Sequence, residues 1–133
     1  MSPLTALKSR KKASSRLSRN NKIFKIIIQA ILEKKGERII SLDLRKIPEA
    51  VADFFIICEA SSTVQIKAIA EFVEDSVKKN IGENPYQHEG YTTLKWVLVD
   101  YINVVVHIFH PETRDFYRLE EMWSDAEIME HRD

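Results

Sequence analysis

The chain has 133 residues, 44% of them hydrophobic and 30% charged, and its 20 basic and 20 acidic side chains balance. This length suits one domain with a single core, because two cores of half the size would each be marginal. The single cysteine, Cys58, excludes an internal disulfide. No apolar run approaches the roughly 20 residues that cross a bilayer. We therefore expect one domain in the cytoplasm, without membrane contact.

The charges are unevenly distributed along the chain. Residues 1–22 contain seven basic side chains and no acidic one, which leaves thirteen basic and twenty acidic groups in residues 23–133. Because this basic arm also lacks apolar periodicity, we predict that it is disordered. Three interpretations stay open for it: a neutral extension, an electrostatic contact to rRNA phosphates, and a transit peptide that would direct the protein to an organelle.

Apolar periodicity predicts a first helix from Ile23 onward. The side chains at the i, i+3, i+4, i+7 positions of one helix face are Phe24, Ile27, Ile28 and Ile31. Asn20 or Asn21 is suited to cap the start, and Gly36 to take a left-handed conformation at the end. We expect the isoleucine face of this helix to lie in the core.

Two strands and a second helix follow. Residues 39–44 alternate apolar and polar side chains, as in a half-buried strand, and residues 53–58 resemble a central strand covered on both faces. Ser62 and Gln65 match a capping box, and helical apolar spacing continues from there to Val77.

The C-terminal third contains the most apolar and aromatic segments. After a connection at residues 80–91, strands at 94–101 and 104–109 lie close enough in sequence for an antiparallel hairpin. Pro111 suits the first turn of a helix, and the acidic residues after Trp123 are expected to fray. The predicted fold class is therefore α/β (α+β), a mixed sheet flanked by helices.

The residue pattern offers little for catalysis. His107 and His110 are three apart, which along a strand places them on opposite faces and makes them poor joint metal ligands. Cys58 lies in an apolar run, where a thiol is usually inert. Two-metal nucleotidyl transfer needs paired carboxylates, and neither Asp53 nor Asp100 has a second acid two residues later. We predict no enzyme, no cofactor and no metal site.

The strand at residues 94–101 is the best candidate for partner recognition. Its two faces carry Trp96, Leu98 and Asp100 on one side and Val97, Val99 and Tyr101 on the other. We expect one set to face the core and the other to be exposed, which would place an aromatic beside an apolar residue, as at interface hot spots. The alternative, that both aromatics belong to the core, stays open.

Several motifs in this chain resemble those of the ribosomal silencing factor, or Iojap, family. In order they are ADFFIICEASS (52–62), EGY (89–91), WVLVDY (96–101), VVVHIFHPETRDFY (104–117) and LEEMW (119–123). The resemblance covers residues 23–126, which we predict to be the family domain, between the disordered basic arm at 1–22 and an acidic tail at 127–133. It also implies a fold related to nucleotidyltransferases, without their catalytic carboxylates.

The resemblance further implies a function. Family members bind the large ribosomal subunit at large-subunit ribosomal protein fourteen and block joining of the small subunit, which lowers translation when nutrients are short. Mitochondrial and plastid relatives act in large-subunit assembly or function. We expect a translational repressor; a large-subunit assembly factor and a residual nucleotidyltransferase at Asp53 or Asp100 are the alternatives. A homodimer of the free protein also stays open.

The family segment WVLxDxGDVVVH, carried over by position, implies which residues contact the ribosomal protein. They are Trp96, Leu98, Asp100, Tyr101, Asn103 and His107. Trp96 and Tyr101 would supply buried area, and Asp100 would pair with a basic group on the partner. The chain departs from the family at the strand turn, where Ile102 and Asn103 replace a small residue and an aspartate.

Overall fold

The computed structural model describes Leu7 and residues 17–132 of the protein. In this part of the chain the elements are α1 (Leu17–Glu33), β1 (Glu37–Asp43), β2 (Phe54–Glu59), α2 (Thr63–Ile81), β3 (Gln87–Glu89), β4 (Trp96–Asp100), β5 (Val104–Phe109), α3 (Pro111–Tyr117), α4 (Leu119–Met122) and β6 (Glu127–His131). The predicted class, a mixed sheet flanked by helices, is confirmed. Among the described helices, none combines the length and the apolar character that crossing a bilayer requires.

Over residues 17–132 the strands form a six-stranded sheet in the order β3-β4-β5-β2-β1-β6. The central pair, β2 and β5, is parallel, and every other neighbouring pair is antiparallel. The predicted hairpin of β4 and β5 is confirmed, with Trp96 opposite Phe109 and Asp100 opposite Val105. The hairpin therefore lies between the short edge strand β3 and the buried centre of the sheet.

Both faces of the sheet are covered. Helices α1 and α2 cover one face, and their apolar side chains pack on those of the strands: Ile23, Ile27, Ile31, Ile66, Ile69, Val73 and Val77 pack with Ile56, Val97, Val99, Val106 and Ile108. The opposite face is covered by the segment between β1 and β2, by α4 and by Leu7: Ala50, Ala52, Leu119 and Leu7 pack with Phe55, Ile57, Trp96, Leu98 and Phe109. Burial on two sides explains why the central strands consist almost entirely of apolar residues.

Helix α1 extends into the segment that we predicted to be a disordered arm. It begins at Leu17, six residues before the apolar periodicity starts, because Arg19 and Asn20 in its first turns bond to other parts of the fold. Asn20 is thus an internal helical residue and not a cap. The rest of the predicted arm, apart from the buried Leu7, lies outside the described residues.

The end of helix α1 also differs from the prediction. Lys35, and not Gly36, adopts the left-handed conformation there, with φ of 63°. Gly36 is required for a different reason, since a side chain at this position would collide with Ile31. Helix α2 matches its predicted start better, because the Ser62 hydroxyl accepts a hydrogen bond from the backbone N–H of Gln65 at 3.1 Å.

Two short strands lie where the sequence predicted none. Gln87–Glu89, inside the predicted connection, pairs with β4 as β3. Residues Glu127–His131, predicted to fray, pair with β1 as β6 in a regular antiparallel register. The domain therefore continues past the predicted boundary at residue 126, because β1 has a second edge to satisfy.

Candidate docking surface

The six residues predicted to contact a partner are all buried. The exposed fractions of Trp96, Leu98, Asp100, Tyr101, Asn103 and His107 lie between 0 and 4%. The expectation that one face of β4 is exposed is therefore wrong. Helices α1 and α2 cover the side of Val97, and the segment between β1 and β2, together with α4 and Leu7, covers the side of Trp96. The six residues therefore lie below the protein surface in this structure. Their contact with a ribosomal protein stays a prediction.

The turn between β4 and β5 is tight and strained. The backbone N–H of Asn103 bonds to the Tyr101 carbonyl at 2.9 Å, and the intervening Ile102 has φ of 74°. This i to i+2 bond with positive φ is a γ-turn of the strained kind, and a β-branched residue is poorly suited to it. Asp100 stabilises the turn, since its Oδ1 accepts a hydrogen bond from the backbone N–H of Ile102 at 2.8 Å.

Replacing Ile102 with glycine should raise the free energy of unfolding by about 1 kcal/mol, because glycine adopts positive φ without strain. The measurement is chemical denaturation of the two proteins side by side. Ile47→Gly is the matched control, since Ile47 is also half-buried but is not among the described residues with positive φ. A loss of stability at Ile102 equal to that at Ile47 would contradict the strain.

Polar side chains from three segments hold this turn from below. The Asp53 carboxylate accepts hydrogen bonds from the amides of Asn20 at 3.3 Å and Asn103 at 3.1 Å. Arg19 donates to the Tyr101 carbonyl at 3.0 Å and forms an ion pair with Glu83 at 2.8 Å. Asp53 and Asp100, the two candidates for a residual nucleotidyltransferase site, are thus both acceptors for amide groups of the fold.

An aromatic cluster lies at the other end of the hairpin, around His107. The Trp96 indole N–H donates to His107 Nδ1 at 3.1 Å, and the ring centroid of Phe55 lies 4.6 Å from that of His107. Burial lowers the pKa of His107 to about 3, so the ring is neutral at pH 7. Because Nδ1 is the acceptor, the proton lies on Nε2.

The aromatic cluster reaches the surface through helix α3. The ring of Tyr117 lies 4.8 Å from that of Trp96, and the ring of Phe116 packs edge-on against Tyr117 at 5.1 Å. Phe116 is 79% exposed and Tyr117 39% exposed. We call these two side chains the aromatic patch. The sequence alone does not indicate that these two side chains are exposed, because aromatic residues on a short helix are equally typical of core packing.

Arg114 fixes helix α3, and with it the aromatic patch, to the sheet. It is 3% exposed and pairs with Glu59 at 3.1 Å and with Glu120 at 2.8 Å. The same guanidinium donates to the Arg38 carbonyl at 2.8 Å. A single buried cation thus links the start of β1, the end of β2 and both C-terminal helices.

Two of the titratable groups considered for catalysis, Cys58 and His110, are held within the fold: Cys58 is buried, and His110 is hydrogen-bonded. Burial raises the pKa of the Cys58 thiol to about 12. His110 caps helix α3, since its Nδ1 accepts a hydrogen bond from the backbone N–H of Glu112 at 3.3 Å. No group of three or more His, Cys, Asp or Glu within the described residues could hold a metal ion. The fold and the aromatic patch together define a small α/β domain that presents two exposed aromatic side chains on a helix fixed to its sheet.

Comparison with known proteins gives the family. The family model described as "Ribosomal silencing factor during starvation" matches residues 17–133. The Bacillus subtilis ribosomal silencing factor is 42% identical over 106 residues, which cover 80% of this chain and 88% of that protein. The corresponding protein of Halalkalibacterium halodurans is 37% identical over 111 residues, covering 84% and 93% of the two chains. The chain belongs to the ribosomal silencing factor family.

Solved structures agree with this assignment. A Chromobacterium violaceum protein of known structure is 36% identical and superimposes with a TM-score of 0.74, over 78% of this chain and 85% of that one.

A more distant relative is the mouse protein named "Mitochondrial assembly of ribosomal large subunit protein 1", which is 32% identical over 54% of this chain and 32% of its own length. The family is not a known enzyme family, and the names of these relatives support a ribosome-associated role in silencing or assembly.

Proposed function

We propose that this protein is a translational repressor that binds the large ribosomal subunit through large-subunit ribosomal protein fourteen. Occupancy of that site sterically blocks joining of the small subunit under nutrient limitation. The observation that carries the proposal is the family match over residues 17–133, the whole of the described sheet and its helices. Binding alone is the mechanism, so it requires no catalytic step and no cofactor, and it takes place in the cytoplasm.

The aromatic patch is the surface that we assign to the ribosomal protein. Phe116 and Tyr117 supply apolar area at the surface, and the buried Trp96 and His107 hold them from behind. Exposed aromatics on a rigid support are typical interface hot spots. The matched domain, residues 17–133, contains fifteen basic and twenty acidic side chains, and this acidity favours orientation towards a basic ribosomal protein. In this arrangement the basic arm provides a secondary contact to rRNA.

A sedimentation experiment tests the proposal directly. The purified protein is mixed with separated ribosomal subunits, and its distribution is followed along with the fraction of joined ribosomes. We expect the protein to travel with the large subunit and to lower the joined fraction. If it does neither, the proposed function is wrong.

Replacing Phe116 with alanine should weaken binding to the large subunit about tenfold or more, because truncation of an interface hot spot costs about 2 kcal/mol. The folded state should lose less than about 0.5 kcal/mol, since the side chain is 79% exposed. Tyr86→Ala is the matched control, because Tyr86 is 68% exposed but bonds to Asp100, at the opposite end of β4 from Trp96. Equal binding by all three proteins would remove the aromatic patch from the interface.

A role in assembly of the large subunit is the second candidate. The name of the mouse relative favours it, and such a factor would use the same binding surface. Depletion during rapid growth separates the two functions. An assembly factor leaves immature large subunits when it is depleted, whereas a repressor leaves mature subunits that fail to be silenced on starvation.

A further inference from the structure

The two edges of the sheet differ in a way that points to a second contact. Strand β3, at one edge, has only three residues, and its side chains are tied down: Gln87 donates to Asp100 at 2.9 Å and His88 pairs with Glu74 at 2.8 Å. Short polar edge strands of this kind resist pairing with another chain. The edge at β3 is therefore protected.

Strand β6, at the opposite edge, has the properties of a strand that accepts a partner. It pairs with β1 over five residues without a register shift, and within the described residues it is the last strand of the sheet. It contains neither proline nor lysine, the residues that commonly blunt an edge. Its apolar side chains are far more exposed than those of the inner strands, with Ile128 at 54% and Met129 at 61%.

The side chains of β6 specify the chemistry of the partner. Ile128 pairs with Leu42, so Ile128 and Glu130 share the face that bears the aromatic cluster, whereas Glu127 and Met129 share the helix-covered face. Each face of the edge thus presents one apolar and one acidic side chain, and His131 adds a third side chain to the helix-covered face. The ion pairs of Glu127 with Lys46 and of Glu130 with Arg132 are exposed, so they are weak and a partner can replace them. A complementary strand would place an apolar and a basic side chain on each of its own faces.

We propose that β6 is a docking edge to which a basic, extended segment of a ribosomal protein adds as a seventh strand. Addition of a strand gains backbone hydrogen bonds along the edge, and the alternating side chains provide specificity. A second copy of this chain is a poorer occupant, because pairing of two β6 strands would bring four glutamates together. The inference rests on the proposed function, since it assigns the partner to the ribosome.

The docking edge borders a cleft beside the C-terminal helices. A cleft of about 670 Å³ is lined by Arg114 and Glu120 from the C-terminal helices and by Glu130 and His131 from β6. Arg114 belongs to the same helix as Phe116. The docking edge and the two C-terminal helices therefore border the same cleft.

The test compares hydrogen exchange and binding in the full-length protein. Amides of residues 127–131 should exchange more slowly when purified large ribosomal subunits are added, whereas those of β3 should not change. The double variant Ile128→Lys, Met129→Lys should bind large subunits about tenfold more weakly or worse. Tyr86→Lys, beside the protected edge, is the matched control, and unchanged thermal unfolding of both variants confirms that they fold.

The outcomes separate this inference from the proposed function. Slower exchange in β6 together with weaker binding of the double variant supports both. If the wild type binds large subunits but β6 exchange and the double variant's affinity are unchanged, the docking edge is wrong and the proposed function stands. If the wild type does not bind large subunits, both are wrong. Protection of β6 that rises with protein concentration alone would assign the edge to a second copy and overturn the ribosomal occupant.

Discussion

Replacing Arg114 with methionine should lower the free energy of unfolding by about 3 kcal/mol, which for a domain of this size lowers the melting temperature by about 10 °C. Methionine preserves most of the apolar stem, so the loss comes from the charge and its hydrogen bonds. The Glu59 side chain is only 9% exposed and would keep only its bond to Arg38, and the Arg38 carbonyl would lose a donor. Thermal and denaturant unfolding measure the effect.

Arg118 provides the matched control for this experiment. Its side chain is 68% exposed, and its ion pair with Glu121 spans 3.8 Å, so Arg118→Met should change stability by less than about 0.5 kcal/mol. Adding Glu59→Gln to Arg114→Met should restore part of the loss, because it removes the carboxylate left without its buried partner. Equal effects of the two arginine substitutions would show that Arg114 does not anchor helix α3 through its charge.

Local sequence patterns predicted the core of the fold well. Strand β5 has the predicted bounds, and the isoleucine side chains predicted for the core side of the first helix include Ile27 and Ile31, which are fully buried. The hairpin and the Ser62 cap are also confirmed. These features depend on residues that are close in sequence, at most 13 positions apart for Trp96 and Phe109 in the hairpin, where periodicity and turn geometry dominate.

The face of β4 could not be predicted by the same means. Alternation shows that Trp96 and Leu98 share a face, but it does not show whether another layer covers that face. The covering residues come from distant parts of the chain: Leu7, Ala50 and Leu119. Their own segments have no periodicity that would identify them as a layer.

Contacts distant in sequence also set the ends of the domain. Arg19 and Asn20 resemble the residues of a disordered basic arm, and only their bonds to Tyr101 and Asp53 place them in the fold. Strand β6 resembles an acidic tail, and only the vacant edge of β1 makes it a strand. In both places polar residues outnumber apolar ones, so the apolar pattern is too short to identify a helix or a strand.

The residues of the candidate site could also be predicted only in part from the sequence. The family motif directed attention to the hairpin, and the hairpin is indeed the frame on which the aromatic patch rests. Trp96 transmits that support, since it bonds to His107 on one side and contacts the ring of Tyr117 on the other. The motif contains supporting residues such as Trp96 together with exposed ones such as Phe116, so the motif alone does not separate the two groups.

His107 should make the fold sensitive to acid. Its titration should lower the free energy of unfolding by about 4–5 kcal/mol between pH 7 and pH 3. Burial lowers the pKa of His107 to about 3 in the folded protein, against about 6.5 for an unfolded histidine. The unfolded chain therefore takes up the proton first as the pH falls. The stabilisation from a neutral His107 is complete above pH 6.5 and is lost progressively towards pH 3.

Denaturant unfolding at a series of pH values measures this loss, and two variants isolate its source. His107→Leu cannot titrate and should reduce the slope below pH 6 by about 1.4 kcal/mol per pH unit, whatever its stability at pH 7. Val106→Ala is the matched control, since Val106 is also fully buried but the change removes no titratable group, and it should retain the wild-type slope. Parallel loss of stability in the wild type and His107→Leu would show that other groups cause the acid sensitivity. Because His107 accepts the indole hydrogen bond of Trp96, protonation would also break the support beneath Tyr117, so binding and folding should fail over the same pH range.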